Sequence, residues 1–136
     1  MIFDVIERKL ADSGIVVPGV SLFRGFLPAE TKIGVLTRAP LTGIPVDPYI
    51  PGRYRANIQI ITRHVDPVEG DHLANEVAKI LMVEAPERHE FPEKNMTGSV
   101  SLFYPKTLPV QFPRLEGNGL EFSQHFDAVW TMSEFQ

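Results

Sequence analysis

The sequence predicts an α+β fold in which a mostly antiparallel, twisted sheet carries two helices packed on one face, together with a long proline-rich loop. Several short stretches alternate apolar and polar residues between turn residues, which is typical of antiparallel strands. Two other stretches repeat apolar residues at helical spacing. The segment Arg38–Arg53 holds four prolines and two glycines in sixteen residues, too many for a strand interior. A chain of 136 residues is expected to form one domain over positions 1–136.

The composition narrows the possible functions. The chain has no cysteine, which excludes disulfides and thiolate metal sites and fits a reducing compartment. Its formal net charge is −4, and general nucleic-acid binding depends on neutralising phosphates. No apolar run approaches the ~18 residues of a membrane span, and the first residues lack a secretion pattern. We therefore expect no specific nucleic-acid binding and no membrane partner.

The first element is predicted to be a short amphipathic helix over Ile2–Ala11. Its apolar side carries Ile2, Phe3, Ile6 and Leu10. Asp12-Ser13-Gly14 follows, and the glycine can supply a left-handed cap. A helix of about three turns is marginal alone in water, so it is expected to dock on the sheet.

Two strands follow, and the pattern favours a hairpin. The strands are predicted over Ser21–Leu27 and Lys32–Thr37, with a turn at Pro28–Glu30 between them. Gly25 and Gly34 weaken the two strands and indicate bulges.

The segment Tyr54–Glu84 is predicted to be the central unit of the fold. A strand begins it, with Ala56, Ile58 and Ile60 on one face. Asp66, Pro67 and Glu69 then read as the start of a helix. The apolar stripe of this helix consists of Leu73, Val77, Ile80 and Leu81, with Ala74 and Ala78 at close-approach positions. Pro86 is expected to end the helix, which would continue to about Glu84.

The remaining chain is predicted to be mostly strand. Pro86–Gly98 is charged and is expected to be an irregular connector, and Ser99–Tyr104 alternates as a strand. Thr107–Leu115 suits only an edge or a loop because of its two prolines. Glu116–Gly119 is a turn signal. The last strand has the cleanest alternation of the chain, from Leu120 to Met132, with Gln124 as the one polar residue on its apolar side.

Candidate chemistry is sparse, so the chain is predicted not to be an enzyme and to need no cofactor. His64, Asp66, Asp71 and His72 contain metal-ligating groups, but Asp66 is better placed as a helix cap. A small metal-dependent enzyme using His64, Asp66 and His72 is retained as the alternative from another class. His125 and Asp127 share a strand face, but no nucleophile motif accompanies them.

The loop Arg38–Arg53 is the better candidate for function. Long loops in small domains are usually functional or disordered, and disordered segments avoid bulky apolar residues. This loop contains Leu41, Ile44, Val46, Tyr49 and Ile50. They either fold back onto the domain or are buried against another subunit or partner.

The charges are unevenly distributed along the chain. The first half carries Arg24, Lys32, Arg38, Arg53, Arg55 and Arg63. The second carries Glu84, Glu87, Glu90, Glu93, Glu116, Glu121, Asp127 and Glu134. If the fold separates the halves, the resulting dipolar surface suits head-to-tail association, the alternative being ordinary solvated charge.

Three stretches carry a resemblance to a known family. They are the strand Ile58–Arg63, the helical segment Ala74–Leu81 and the late strand Ser123–Trp130. In their order along the chain they resemble the tail terminator and minor capsid (tail completion) proteins of long-tailed bacteriophages. The chain departs from the family pattern in two places. These are the length of the Arg38–Arg53 loop and the long segment Met96–Leu115 towards the end of the chain.

The resemblance implies a structural virion protein that forms a homo-oligomeric ring, expected to be a hexamer. The ring would cap the tail tube and join it to the head connector, so the implied partners are further copies, the tail tube protein and a connector or head-completion protein. The implied location is the head-tail junction, after assembly in the bacterial host cytoplasm. We expect contacts to a neighbouring protomer or the tube from Leu41, Ile44, Tyr49, Ile50 and Arg53. A head-completion protein of the same virion remains the alternative within this class.

Overall fold

Two helices lie on one face of a curled, mostly antiparallel sheet in the computed structural model, which confirms the predicted fold class. The structure describes residues 1–113 and 119–134, and of residue 134 the backbone only. The elements are α1 (Ile2–Ser13), β1 (Leu22–Arg24), β2 (Gly34–Arg38), β3 (Arg53–His64), α2 (Pro67–Leu81), β4 (Glu87–Phe91), a 3₁₀ turn (Pro92–Lys94), β5 (Met96–Pro105), β6 (Val110–Pro113) and β7 (Leu120–Glu134). The strand order is β1-β2-β3-β7-β5-β4, and β6 pairs with β7.

The long antiparallel pair of β3 and β7 forms the middle of the sheet. Twelve residue pairs join these strands, from Arg53 opposite Thr131 to His64 opposite Leu120. Alternate residues point to the helices, as the period-2 pattern predicts. The inward residues of this pair include Ala56, Ile58, Ile60, Phe126, Ala128 and Trp130, all buried in the main core.

Helix α2 begins as predicted but ends earlier than expected. One oxygen of Asp66, Oδ1, accepts hydrogen bonds from the backbone N–H groups of Val68 and Glu69 at 2.8 and 2.9 Å, which satisfies two donors of the first turn. The expectation that the helix continues to Glu84 is wrong. Met82 is already extended, and Val83 is buried against the sheet in a bridge with Phe103. Packing of Val83 therefore ends the helix before the proline can.

Helix α1 confirms its prediction, with a left-handed Gly14 at φ 79° as its cap. The helix packs Ile2, Val5, Ile6 and Leu10 into the core.

The predicted hairpin is wrong, because β1 and β2 pair in parallel, with Leu22 opposite Val35. The turn at Pro28 does form, since the N–H of Thr31 donates to Pro28 O at 3.1 Å. However, β1 ends at Arg24, before Gly25 with its φ of 88°, and the nine residues 25–33 cross over before β2 starts. The guanidinium of Arg63 holds this crossover through bonds to Pro28 O at 2.8 Å and Thr31 O at 3.1 Å. Gly25 and Gly34 therefore stand at the ends of strands and not at bulges.

The predicted connector over Pro86–Gly98 is also wrong, because it contains β4 and the start of β5. Strand β4 pairs antiparallel with β5, from Glu87 opposite Val100 to Phe91 opposite Met96. Exposed and less exposed residues alternate along β4, and Phe91 is buried. The pattern is not visible in the sequence because the other residues of the strand are charged or polar. Glu87 forms an ion pair with Lys9 of α1, in which Nζ of Lys9 lies 3.0 Å from Oε1 of Glu87.

The last third otherwise follows the sequence. Val110–Pro113 forms the predicted edge strand, and the expected turn at Glu116–Gly119 lies outside the described residues except for Gly119. Gln124 is buried, and its amide donates to Thr107 O at 2.7 Å. None of the helices in the described part of the chain has the length and apolar content to cross a membrane.

Gly70 sets the distance between α2 and the sheet, and Gly70→Ala tests this. A Cβ atom there would lie 2.3 Å from Cε2 of Phe122 and 3.0 Å from Cβ of His64. At a solvent-exposed position inside a helix, replacing glycine with alanine raises the free energy of unfolding by about 1 kcal/mol. Here we expect it to lower the free energy of unfolding by about 1–3 kcal/mol through overpacking. Denaturant unfolding measures the change, with His72→Ala on the exposed side of α2 as the control. A stabilised Gly70→Ala variant would contradict the close approach.

Asp4 ties α1 to distant parts of the chain. Its side chain is buried and accepts hydrogen bonds from Lys94 and, at 3.3 Å, from Nη2 of Arg24. Burial raises the pKa of Asp4, but the hydrogen bond from Lys94, the charges of the Met1 amino group and Lys94, and the bond from Arg24 outweigh it, so the pKa is lowered.

Asp4→Asn should therefore change the pH dependence of stability. A carboxyl whose pKa is lower in the folded state stabilises fully above its unfolded pKa and loses this contribution as the pH falls through the folded pKa. We expect a loss of about 2 kcal/mol at pH 7 and a flatter acid limb of the unfolding profile. Urea titrations between pH 2 and pH 7 test it, with the exposed Asp12→Asn as the control. An unchanged acid limb would refute the role of Asp4.

Candidate interaction surface

The Arg38–Arg53 loop is tied at three points. The N–H of Gly43 donates to Pro40 O at 2.9 Å, and that of Tyr49 donates to Oδ1 of Asp47 at 2.9 Å. At the end of the loop, Gly52 O accepts the N–H of Met132 at 2.8 Å. These turns give the loop a fixed path beside the sheet, although it has no regular secondary structure.

The predicted interface residues separate into two groups. Leu41 is 94% exposed and Tyr49 is 91% exposed, and Ile50 is also exposed. Val46, absent from the five predicted contact residues, is 74% exposed, and its apolar type in a loop was the available signal. Exposed bulky residues grouped on one loop are typical of a protein-binding surface.

Ile44 and Arg53 differ from the others. Ile44 turns inward and packs against the core. It lines a cavity of about 190 Å³ with Phe3, Tyr54 and Trp130. Arg53 is half-buried at the start of β3. Ile44 therefore anchors the loop, whereas Leu41 and Tyr49 project from it.

The uneven charge along the chain does not produce two separate charged halves of the fold, because β3 and β7 interleave the halves. Nη2 of Arg63, for example, lies 3.0 Å from Oε2 of Glu121. Arg38, Arg53 and Arg55 lie beside the loop, without ion pairs among the described residues. On β4, Glu87 pairs with Lys9 and Glu90 pairs with Arg88.

The candidate metal ligands do not come together. Nδ1 of His64 accepts the N–H of Asp66 at 2.9 Å, and Asp66 caps α2. Asp71 bonds to Asn75 within α2, at 3.2 Å, and His72 is exposed. Within residues 1–113 and 119–134, no three His, Asp or Glu side chains form a group that could hold a metal ion.

His125 and Asp127 lie side by side on the sheet face turned away from the helices but bond elsewhere. Nδ1 of His125 lies 2.7 Å from Oδ1 of Asn57. Oδ1 of Asp127 lies 3.9 Å from Nζ of Lys106. The two side chains therefore belong to the polar face of the sheet.

The fold and its projecting loop place the chain among small α+β proteins whose most prominent surface suits protein–protein contact. A family model described as bacteriophage tail terminator protein matches residues 9–131. The chain belongs to this phage tail terminator family, which confirms the resemblance in its sequence and makes it a structural virion component. No curated protein matches the chain in a sequence search.

Gly52 fastens the loop to β7, and Gly52→Ala tests the attachment. Its φ is 83°, and a Cβ atom would lie 2.7 Å from Met132 O. We expect the hydrogen bond from Met132 to weaken, with faster amide exchange at Met132 and a stability loss of about 2 kcal/mol. Gly43→Ala is a matched control, since its φ is 84° but no atom lies within 4 Å of the added Cβ. Equal effects of the two variants would argue against the close contact at Gly52.

Proposed function

We propose that this chain is the tail terminator of a long-tailed phage and that it works as a homo-oligomeric, hexameric ring. The ring caps the tail tube at the head-tail junction and joins it to the head connector. The main support is the tied loop with Leu41 and Tyr49 almost fully exposed, in a chain that belongs to the tail terminator family.

The loop supplies the free energy for assembly. Burying a leucine-sized apolar side chain stabilises by about 1.5–3 kcal/mol, and Leu41 and Tyr49 both stand in water in the isolated chain. Because the turns at Gly43 and Asp47 already fix the loop, little conformational entropy is lost on docking. We assign Leu41, Tyr49 and Ile50 to contacts with a neighbouring protomer or the tube, supported by Ile44 and Arg53.

The proposed partners are further copies of the chain, the tail tube protein and a head connector or head-completion protein. A ring with this task holds other proteins in place and has no need of a reaction. It assembles in the host cytoplasm and remains in the virion.

The double variant Leu41→Ser/Tyr49→Ser tests the role of the loop. We expect the unmutated chain to form rings in native mass spectra and electron micrographs, and the variant to associate about 100-fold more weakly, for a loss of about 3 kcal/mol per contact. Val68→Ser, a change at a 74% exposed apolar residue of α2, should leave the rings intact.

Electron microscopy of assembled particles decides the location. Density for this chain between the tail tube and the connector supports the proposal. In particles assembled with the loop variant, we expect tails that fail to join heads. Density within the head portal would assign the chain to head completion instead. A particle without the chain at the junction would reject both.

A further inference from the structure

Strand β4 leaves one edge of the sheet open. In a strand, the N–H and C=O groups of alternate residues point to opposite neighbours. The N–H of Met132 donates to Gly52 O. The backbone groups of the even-numbered residues of β7 therefore point towards β3, and those of the odd-numbered residues point towards β5. The same alternation can be followed from β7 through β5 to β4. It shows that the backbone N–H and C=O groups of Glu87, His89 and Phe91 point towards β5. Arg88 and Glu90 therefore point their backbone groups outward.

The open edge is rich in donors. Glu90 O already accepts a hydrogen bond from Nη2 of Arg8 at 2.9 Å. The N–H groups of Arg88 and Glu90 and the C=O of Arg88 have no hydrogen-bond partner among the described residues. Two donors and one acceptor are thus exposed on β4. The edge of β6 is different, since Pro109 and Pro113 have no N–H to offer.

The loop contains a segment with the complementary groups. Pro45–Tyr49 makes no backbone–backbone hydrogen bond in the described structure, and its two prolines favour an extended chain up to Pro48, where the chain bends and the N–H of Tyr49 bonds to the side chain of Asp47. On one side of such a chain, Val46 offers its N–H and C=O, and Pro48 offers only its C=O. The segment therefore presents one donor and two acceptors, the reverse of the β4 edge.

We propose that Pro45–Tyr49 of one protomer adds as a short strand to the β4 edge of a second copy. This inference rests on the proposed ring and names the surface that receives the loop. Strand addition supplies main-chain hydrogen bonds, and the flanking side chains supply specificity.

Engineered disulfides test the contact, since the chain has no cysteine of its own. Val46→Cys/Arg88→Cys should form a ladder of covalent oligomers under mild oxidation, ending at the ring size, because the free C=O of Arg88 places Val46 opposite Arg88. The crosslinked fraction should exceed that of Val46→Cys/His72→Cys by about tenfold or more, because docking raises the effective thiol concentration. Val46→Cys/Glu90→Cys covers the neighbouring register.

Single variants test the head-to-tail arrangement. Val46→Cys or Arg88→Cys alone should give no ladder, and a mixture of the two should give covalent dimers only. The reactions are run where native mass spectra show the ring. A ring without a ladder from either paired variant, or an equal ladder from the His72 control, would overturn this contact and leave the proposed function standing. Absence of any ring from the unmutated chain would overturn both.

Discussion

The antiparallel pairing of β3 with β7 is the interaction on which the rest of the molecule depends. Its twelve residue pairs fix which side chains face the helices, because a slip by one residue would turn every side chain to the other face. The inward residues form the floor on which α1 and α2 pack. The same pairing extends to Gly52, whose bond with Met132 fastens the end of the loop. Core and interaction surface therefore share one register.

Local signals were sufficient where neighbouring residues decide the structure. The start of α2 depends on Asp66 and the two residues after Pro67, and the β3 face depends on simple alternation. Local signals failed where contacts between residues distant in sequence determine the structure. The parallel pairing of β1 with β2 is held by Arg63, and the end of α2 is set by the burial of Val83. The charged strand β4 forms because it pairs with β5 and buries Phe91, and Lys9 from α1 pairs with Glu87, contacts that no local pattern contains.

The candidate surface was predictable in composition but not in arrangement. Prolines together with bulky apolar residues identified the loop, and Leu41 and Tyr49 do project into solvent. The sequence did not distinguish Ile44, which is turned inward by its contact with the core. The open backbone groups of β4 require the register of three strands, and so lie beyond any single stretch of sequence.

The place of β7 in the sheet has a consequence for biosynthesis. It is the last strand of the described chain, yet it lies between β3 and β5. A ribosome adds about 5–20 residues per second, so β3 and β5 wait some seconds without their shared neighbour. During that time β3 and β5 can pair only with β2 and β4, so each exposes one unpaired edge, and the pairing of β3 with β7, distant in sequence, is slow to form. The centre of the sheet therefore closes only after β7 has left the ribosome, and until then host chaperones have an interval in which to protect the chain.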